Sequence, residues 1–145
     1  MAELIPSGSK VSLHLKIVTP EQQIRDEMVD QVNVQTTQGE IGILPHHADL
    51  IAKIIPGELK IKKGNKIDYF ATGEGFLQIT KNTLTIMTDL AESAASIDER
   101  AVEQAKKRAE EALSQKLSDE EYAETLAILE KSLAQLKVKR RHRNI

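Results

Sequence analysis

Near Ala91 the pattern of apolar residues changes period, and that break divides the chain into two architectures. Upstream, Val11, Leu13, Leu15 and Ile17 alternate with Ser12, His14, Lys16 and Val18 until Thr19-Pro20-Glu21 interrupts the run. The alternation recurs at Val32 and Val34, Leu59 and Ile61, Leu77 and Ile79, and Leu84 and Ile86. A period of two sends one face of a strand into a core and the other into water. Turn signals separate the runs: Gln38-Gly39, Pro56-Gly57, Gly64-Asn65, Thr72-Gly73 and Lys81-Asn82. Many short strands punctuated in this way predict an antiparallel β-sandwich or flattened barrel over residues 10–91, after a flexible lead at 1–9.

Downstream, Gly and Pro vanish, and Ala, Glu, Lys, Gln and Leu dominate. Two capping boxes announce helices, Ser96 with Glu99 and Ser118 with Glu121. The first helix, about 97–116, carries a stripe of Ala101, Ala105, Ala109 and Ala112 with Val102 and Leu113 beside it. The second, about 119–140, places Tyr122, Leu126, Leu129, Leu133 and Leu136 at alternating steps of four and three, a narrow apolar seam. The polar turn between them folds the helices back antiparallel, and the Ala stripe permits close approach. Five seam residues bury too little area to offset the ordering of both helices, so the hairpin, residues 96–145, needs a surface to lie on. The fold class is therefore α+β: an N-terminal antiparallel β-sandwich followed by a C-terminal antiparallel two-helix hairpin.

Aromatics make up only 3% of the chain and the net charge is −2, which leaves no platform for nucleic acid. Residues 1–95 hold nine Lys/Arg against twelve Asp/Glu, a net of −3; residues 96–145 hold eleven against ten, a net of +1. From Lys131 onward there are six basic side chains and no acid. That basic end is either a solvated helix terminus favoured by the helix dipole or a contact for an acidic partner. Without cysteine, disulfides and thiolate metal sites are excluded. No apolar run approaches the ~20 residues of a membrane span, and the first residues lack the pattern of a secretory signal. Membrane association is expected only through partner subunits.

No catalytic constellation is legible. A Walker loop is absent, and Gly73-Glu74-Gly75 reads as a turn entering a strand. His46 and His47 are adjacent, so on an extended segment they point to opposite sides and cannot readily share a metal. His14 falls on the polar face of a strand and His142 in the basic tail, where solvation is the simplest reading for both. The chain is expected to be neither an enzyme nor a metal binder. Its most singular segment is Gly39-Glu40-Ile41-Gly42-Ile43-Leu44-Pro45-His46-His47-Ala48-Asp49-Leu50, which reads as a loop with an exposed acid and an apolar triplet. The triplet either meets a partner or tucks Ile43 and Leu44 into a sandwich corner.

This segment closely resembles the GE-hydrophobic-GILP-x-HA-x-L signature of epsilon subunits of F-type ATP synthases. The likeness extends to Ile17-Val18-Thr19-Pro20-Glu21, Pro56-Gly57-Glu58-Leu59-Lys60-Ile61, Gly75-Phe76-Leu77-Gln78-Ile79, then Asn82, Leu84-Thr85-Ile86 and Asp89, Ala91-Glu92, Ile97-Asp98 and the two helices. It implies a non-catalytic rotor subunit of the central stalk that couples proton flow to ATP synthesis. Its partners would be the gamma subunit, the c-ring and the alpha/beta catalytic head, at the cytoplasmic face of a bacterial cell membrane. It also implies that Glu40 faces the c-ring and His47 lies near gamma, with Ile41, Gly42, Ile43, Leu44 and Pro45 in the same interface. The helices would lie folded on the sandwich or extend along gamma to block ATP hydrolysis, carrying Lys137, Lys139, Arg140, Arg141 and Arg143 toward the head. Some members bind regulatory ATP through a stretch resembling Ile-Asp-x-x-Arg-Ala. Here Ile97 and Asp98 match, Arg100 stands one position early, about 100° around the helix, and Arg108 follows downstream. Two rivals compete: a free β-sandwich adaptor with a helical hairpin, and a small enzyme using Glu40, His46 or His47 as acid and base.

Overall fold

A computed structural model describes residues 12–143 of the chain; the lead at 1–9 lies outside them. Ten strands come first: β1 (Leu13–Val18), β2 (Gln23–Val29), β3 (Gln31–Thr36), β4 (Gly39–Ile43), β5 (Leu50–Ile54), β6 (Gly57–Lys63), β7 (Lys66–Thr72), β8 (Gly75–Thr80), β9 (Thr83–Thr88) and β10 (Ala91–Ser93). A 3₁₀ turn (Ala94–Ser96) leads to α1 (Glu99–Leu113) and α2 (Asp119–Arg141). The strand order is β10-β7-β6-β3-β5-β8-β9-β1-β2, with β4 added to β3. Thr36 opposite Ile54 is the pair that joins β3 to β5, and there the sheet folds over to make two facing layers. At the far margin the Asp30 N–H donates to the Lys62 carbonyl at 2.8 Å. Arg25 spans the same margin, pairing with Glu27 and Asp68 while lying over the Phe70 ring.

The period-two residues fill the space between the layers. Leu13, Leu15, Ile17, Val32, Val34, Leu59, Ile61, Leu77, Ile79, Leu84 and Ile86 are all buried there, joined by Val29, Ile43, Ile54 and Phe70. One pairing departs from the antiparallel pattern: β1 runs parallel to β9, His14 to Val18 against Thr83 to Met87. No tight turn joins these two strands, so nothing forces them to run in opposite directions.

The helices depart from expectation at the first cap. Asp98, not Ser96, caps α1, its carboxylate accepting from the Ala101 N–H at 3.1 Å. Ser96 instead donates to the Ser93 carbonyl inside the 3₁₀ turn. Ile97 is buried and extended between them, so the helix cannot begin earlier. It also ends at Leu113 rather than near 116. The Ser118–Glu121 capping box forms as read, with both reciprocal bonds.

Of the Ala stripe, Ala109 is buried and Ala101 is exposed. The second helix buries Ser132, Ala134, Leu136 and Val138, whereas Tyr122 and Leu133 stay half-exposed. Steps of two on a helix of 100° per residue alternate between opposite faces, so α2 is covered on both sides. It lies between the sheet and α1, which is why the single seam read from the sequence describes only part of its contacts. Ala71, Ala94, Ile97, Val102, Leu136 and Val138 form the cluster that seats the hairpin, with Tyr69 packed against it.

Candidate partner-binding surfaces

The segment read as one loop is in fact a strand followed by a turn. Gly39–Ile43 is β4, paired antiparallel with β3 so that Glu40 lies opposite Gln35 and Gly42 opposite Asn33. The hairpin between them needs Gly39 at φ 103°, a left-handed conformation that glycine adopts freely. Among the described residues β4 pairs with β3 alone, so its other edge has no strand partner there. The Glu40 carboxylate accepts from the side chains of Asn33 (3.2 Å) and Gln35 (3.1 Å), and Gln31 in turn bonds Asn33. Both donors are neutral side-chain amides.

The apolar triplet divides. Ile41 is half-buried, Ile43 is in the core, and Leu44 is 56% exposed. Ile43 is thus tucked into the sandwich, and the next residue, Leu44, is left exposed. After Leu44 the chain turns at Pro45-His46: the His47 N–H returns to the Leu44 carbonyl at 3.2 Å, and His46 sits at φ 63°. Pro at the second position and a positive φ at the third are the requirements of a type II turn, where glycine is the usual third residue. The His47 ring contacts the Ala48 carbonyl at 2.7 Å.

A second surface was not read from the sequence. Ile51 (73% exposed), Phe76 (53%) and Met87 (43%) stand on the outer face of β5, β8 and β9. Phe76 lies directly opposite both Lys53 and Met87. The signal was present: Phe76 and Met87 occupy outward positions of alternating strands, where a polar residue is expected. Phe76 and Met87 are cross-strand neighbours, and Ile51 lies diagonally from Phe76, opposite Gln78, on the same face.

The basic tail is engaged with its own chain. Arg140 pairs with Glu99 and Glu103, and Arg143 with Glu99. Lys139 donates to the Ala94 carbonyl, and Arg141 approaches Glu58 at 3.5 Å. Lys137 is exposed beside a groove of about 580 Å³ that also touches Leu133 and Ile55. His142 is not simply solvated: its ring stacks on Tyr69 with centroids 3.5 Å apart, and Nε2 lies 2.6 Å from Glu58. His14 likewise contacts Asp26 at 2.6 Å.

The guanidinium of Arg140 holds the Glu99 carboxyl below the usual carboxylate range, with Arg143 adding to it against partial desolvation. Arg140 does the same to Glu103, and the Arg140 pKa is raised reciprocally.

Ile97, Asp98, Arg100 and Arg108 do not converge. Ile97 is buried under the hairpin and Asp98 is the α1 cap. Arg100 lines an open groove of about 520 Å³ with Glu99, Glu103, Gln104, Lys107 and Arg140. Arg108 lines a separate cleft between the helices with Ala105, Ala109, Ala112, Thr125 and Ile128. Among the described residues no three metal-ligating side chains cluster, and no helix is long and apolar enough to cross a membrane.

Comparison with known proteins finds two family models in succession along the chain. Residues 12–94 match the family model of the ATP synthase delta/epsilon chain β-sandwich domain, and residues 96–140 that of its long α-helix domain. The ATP synthase epsilon chain of Herpetosiphon aurantiacus is 38% identical over 133 residues, spanning 91% of this chain and 97% of that one. The epsilon chain of Nitrosococcus oceani is 36% identical over 134 residues, 92% of this chain and 96% of its own. Among solved structures, a chain of the Euglena gracilis mitochondrial ATP synthase (OSCP/F1/c-ring) aligns with a TM-score of 0.72 at 23% identity, over 92% of this chain and 82% of that one. A chain of the Tetrahymena thermophila mitochondrial ATP synthase central stalk and c-ring gives 0.59 at 16%, over 87% and 95%. At these identities the structural likeness speaks for the fold.

Proposed function

The chain belongs to the family of ATP synthase delta/epsilon chains, whose two domains it carries in order, and on that premise we propose how its surfaces are used. It is a non-catalytic subunit of the central stalk of a rotary, proton-driven ATP synthase, and it meets the membrane through its partners. The sandwich links gamma to the c-ring and turns with them. The relatives of near-equal length are bacterial epsilon chains, which favours the cytoplasmic face of a bacterial cell membrane.

The observation that carries this reading is the strip of Ile51, Phe76 and Met87, left uncovered on a sandwich whose own core is already closed. Gamma covers that strip. His47 and Leu44 lie just upstream of β5 and extend the contact, while Glu40, on the open edge of β4, faces the polar loops of the c-ring. The hairpin in its docked form leaves the catalytic head free. Released, it extends along gamma and brings Lys137, Lys139, Arg140, Arg141 and Arg143 to an acidic segment of the head, where it blocks hydrolysis. A hairpin seated by one small apolar cluster and a ring of exposed ion pairs suits two packings separated by a few kcal/mol.

Arg140 and Arg143 already draw the end of α2 to the start of α1, and Ile97 and Asp98 are spent on packing and capping. Regulatory ATP would have to displace these ion pairs.

The test is an Ile51→Lys, Phe76→Lys chain. It should melt like the wild type, because both side chains are outside the core, yet fail to co-purify with gamma and the c-ring from detergent-solubilised membranes. Retention in the complex at wild-type stoichiometry would remove the strip as the interface.

A further inference from the structure

Asn82 sits in the two-residue turn between β8 and β9, after the Thr80–Thr83 pair, and both turn residues are left-handed, Lys81 at φ 49° and Asn82 at φ 59°. Asparagine tolerates that conformation better than most residues, which would be reason enough for its presence. Its side chain does more. The amide oxygen accepts from the His46 N–H at 2.8 Å, and the amide nitrogen donates to the Ser12 carbonyl at 2.7 Å. Its own carbonyl accepts from the His14 N–H at 3.1 Å. One residue therefore ties together three segments remote in sequence: the entry to β1, the β8–β9 hairpin and the Leu44–His47 turn.

The bond to His46 falls where the turn most needs it. A side chain at φ 63° is strained, and the His47–Leu44 bond at 3.2 Å is the turn's own closure. The Asn82 amide, fixed at its other end to Ser12, supplies a rigid acceptor that favours this conformation over a β-region one, in which the His46 N–H would turn away. The side chains so presented are Leu44, more than half exposed, and His47.

We propose that Asn82 is a positioning residue for the rotor contact, holding the Leu44–His47 turn in the shape its partners meet; this rests on the reading of that turn as a contact surface given above. It acts through the turn and touches no partner itself.

Asn82→Gly separates the two roles of the residue. Glycine takes the left-handed conformation freely, so the β8–β9 hairpin keeps its turn and the thermal midpoint of the full chain stays within a few degrees of wild type. Only the side-chain bonds are lost. Deuterium exchange at the His46 amide should then accelerate at least tenfold, while Asn82→Asp, which keeps the acceptor, retains most of the protection. In membranes carrying the assembled enzyme, Asn82→Gly should at least halve the protons pumped per ATP hydrolysed. Adding His46→Gly, which lets that position reach positive φ unaided, should restore most of the loss. His46 exchange at the wild-type rate in Asn82→Gly overturns the proposal, as does faster exchange with assembly and coupling intact. Failure of the underlying reading is distinguishable: Leu44→Glu and His47→Ala would then leave assembly and coupling untouched, whatever Asn82 does.

Discussion

Leu136→Ala should release the hairpin without weakening the sandwich. Leu136 is 2% exposed and packs with Ala71, Ala94, Ile97, Val102 and Val138; none of these belongs to the core between the sheet layers. Truncating a buried leucine costs about 2–5 kcal/mol, and a seam between helix and sheet can partly collapse, which places this one near 2–3 kcal/mol. At 1.4 kcal/mol per tenfold, the undocked fraction rises roughly 30–150-fold. Native-state hydrogen exchange on the full chain reads this directly: amides of α2 should lose protection by that factor while those of β1 and β8 keep theirs. Because α2 lies between α1 and the sheet, protection in α1 should fall with it. Equal losses in helices and strands would mean that the chain unfolds as one cooperative body. Unchanged protection in α2 would mean that the cluster does not seat the hairpin.

Other outcomes follow from the same division. A chain ending at Ala95 should keep the circular dichroism of a β-sandwich and still join the stalk, since its core closes before that point, and the assembled enzyme should hydrolyse ATP faster; loss of strand signal would refute the division. Glu40→Lys should lower coupling while shifting stability by no more than about 0.5 kcal/mol, as expected for an exposed acid; lost stability with normal coupling would make the acid structural. Lys137 has no ion-pair partner among the described residues, so Lys137→Glu tests docking on the catalytic head without disturbing the docked form. ATPase inhibition should weaken, and more so at low salt; inhibition equal to wild type at every salt concentration would confine the tail to its own chain. Glu99 and Glu103 have lowered pKa values in the docked form, so their stabilisation is complete above the ordinary Glu value near 4.3 and disappears as pH falls through the docked values. Acidification should therefore raise α2 exchange before it affects the strands, and Glu99→Gln, Glu103→Gln should abolish that acid response.

The sequence carried the inside of the sandwich better than its margins. Residues that alternate between core and water, such as Leu13, Leu15 and Ile17, announce their strand. β2 does not: Gln23–Val29 is an edge strand with Arg25, Asp26 and Glu27 in succession, and only Ile24 and Val29 reach the core, so pairing with β1 and ion pairs help hold it. The start of α1 was misread because Ser96 and Asp98 are both competent caps, and burial of Ile97 between them decides the matter. The proposed contact surface was legible where it is a motif and invisible where it is an exception, as with the exposed Phe76. The Asn82 bonds join positions 36 and 70 residues apart, beyond any local pattern. Nor could the tail's contacts be read, since Glu58 and Tyr69 reach His142 only after the hairpin folds back.

The parallel pairing of β1 with β9 also sets a timetable for the nascent chain. Of the described strands, β1 is made first, and it has as one neighbour β9, nearly the last of them to be made. A lone β1–β2 hairpin is marginal in water, so Leu13, Leu15 and Ile17 wait uncovered until residue 88 has emerged. Such long-range closure is slow and invites aggregation meanwhile. Only after it can the helices, which follow the strands in the chain, arrive on a finished surface. The hairpin is thereby fitted to a body that has already folded without it, and any release of it would retrace the last step of its own folding.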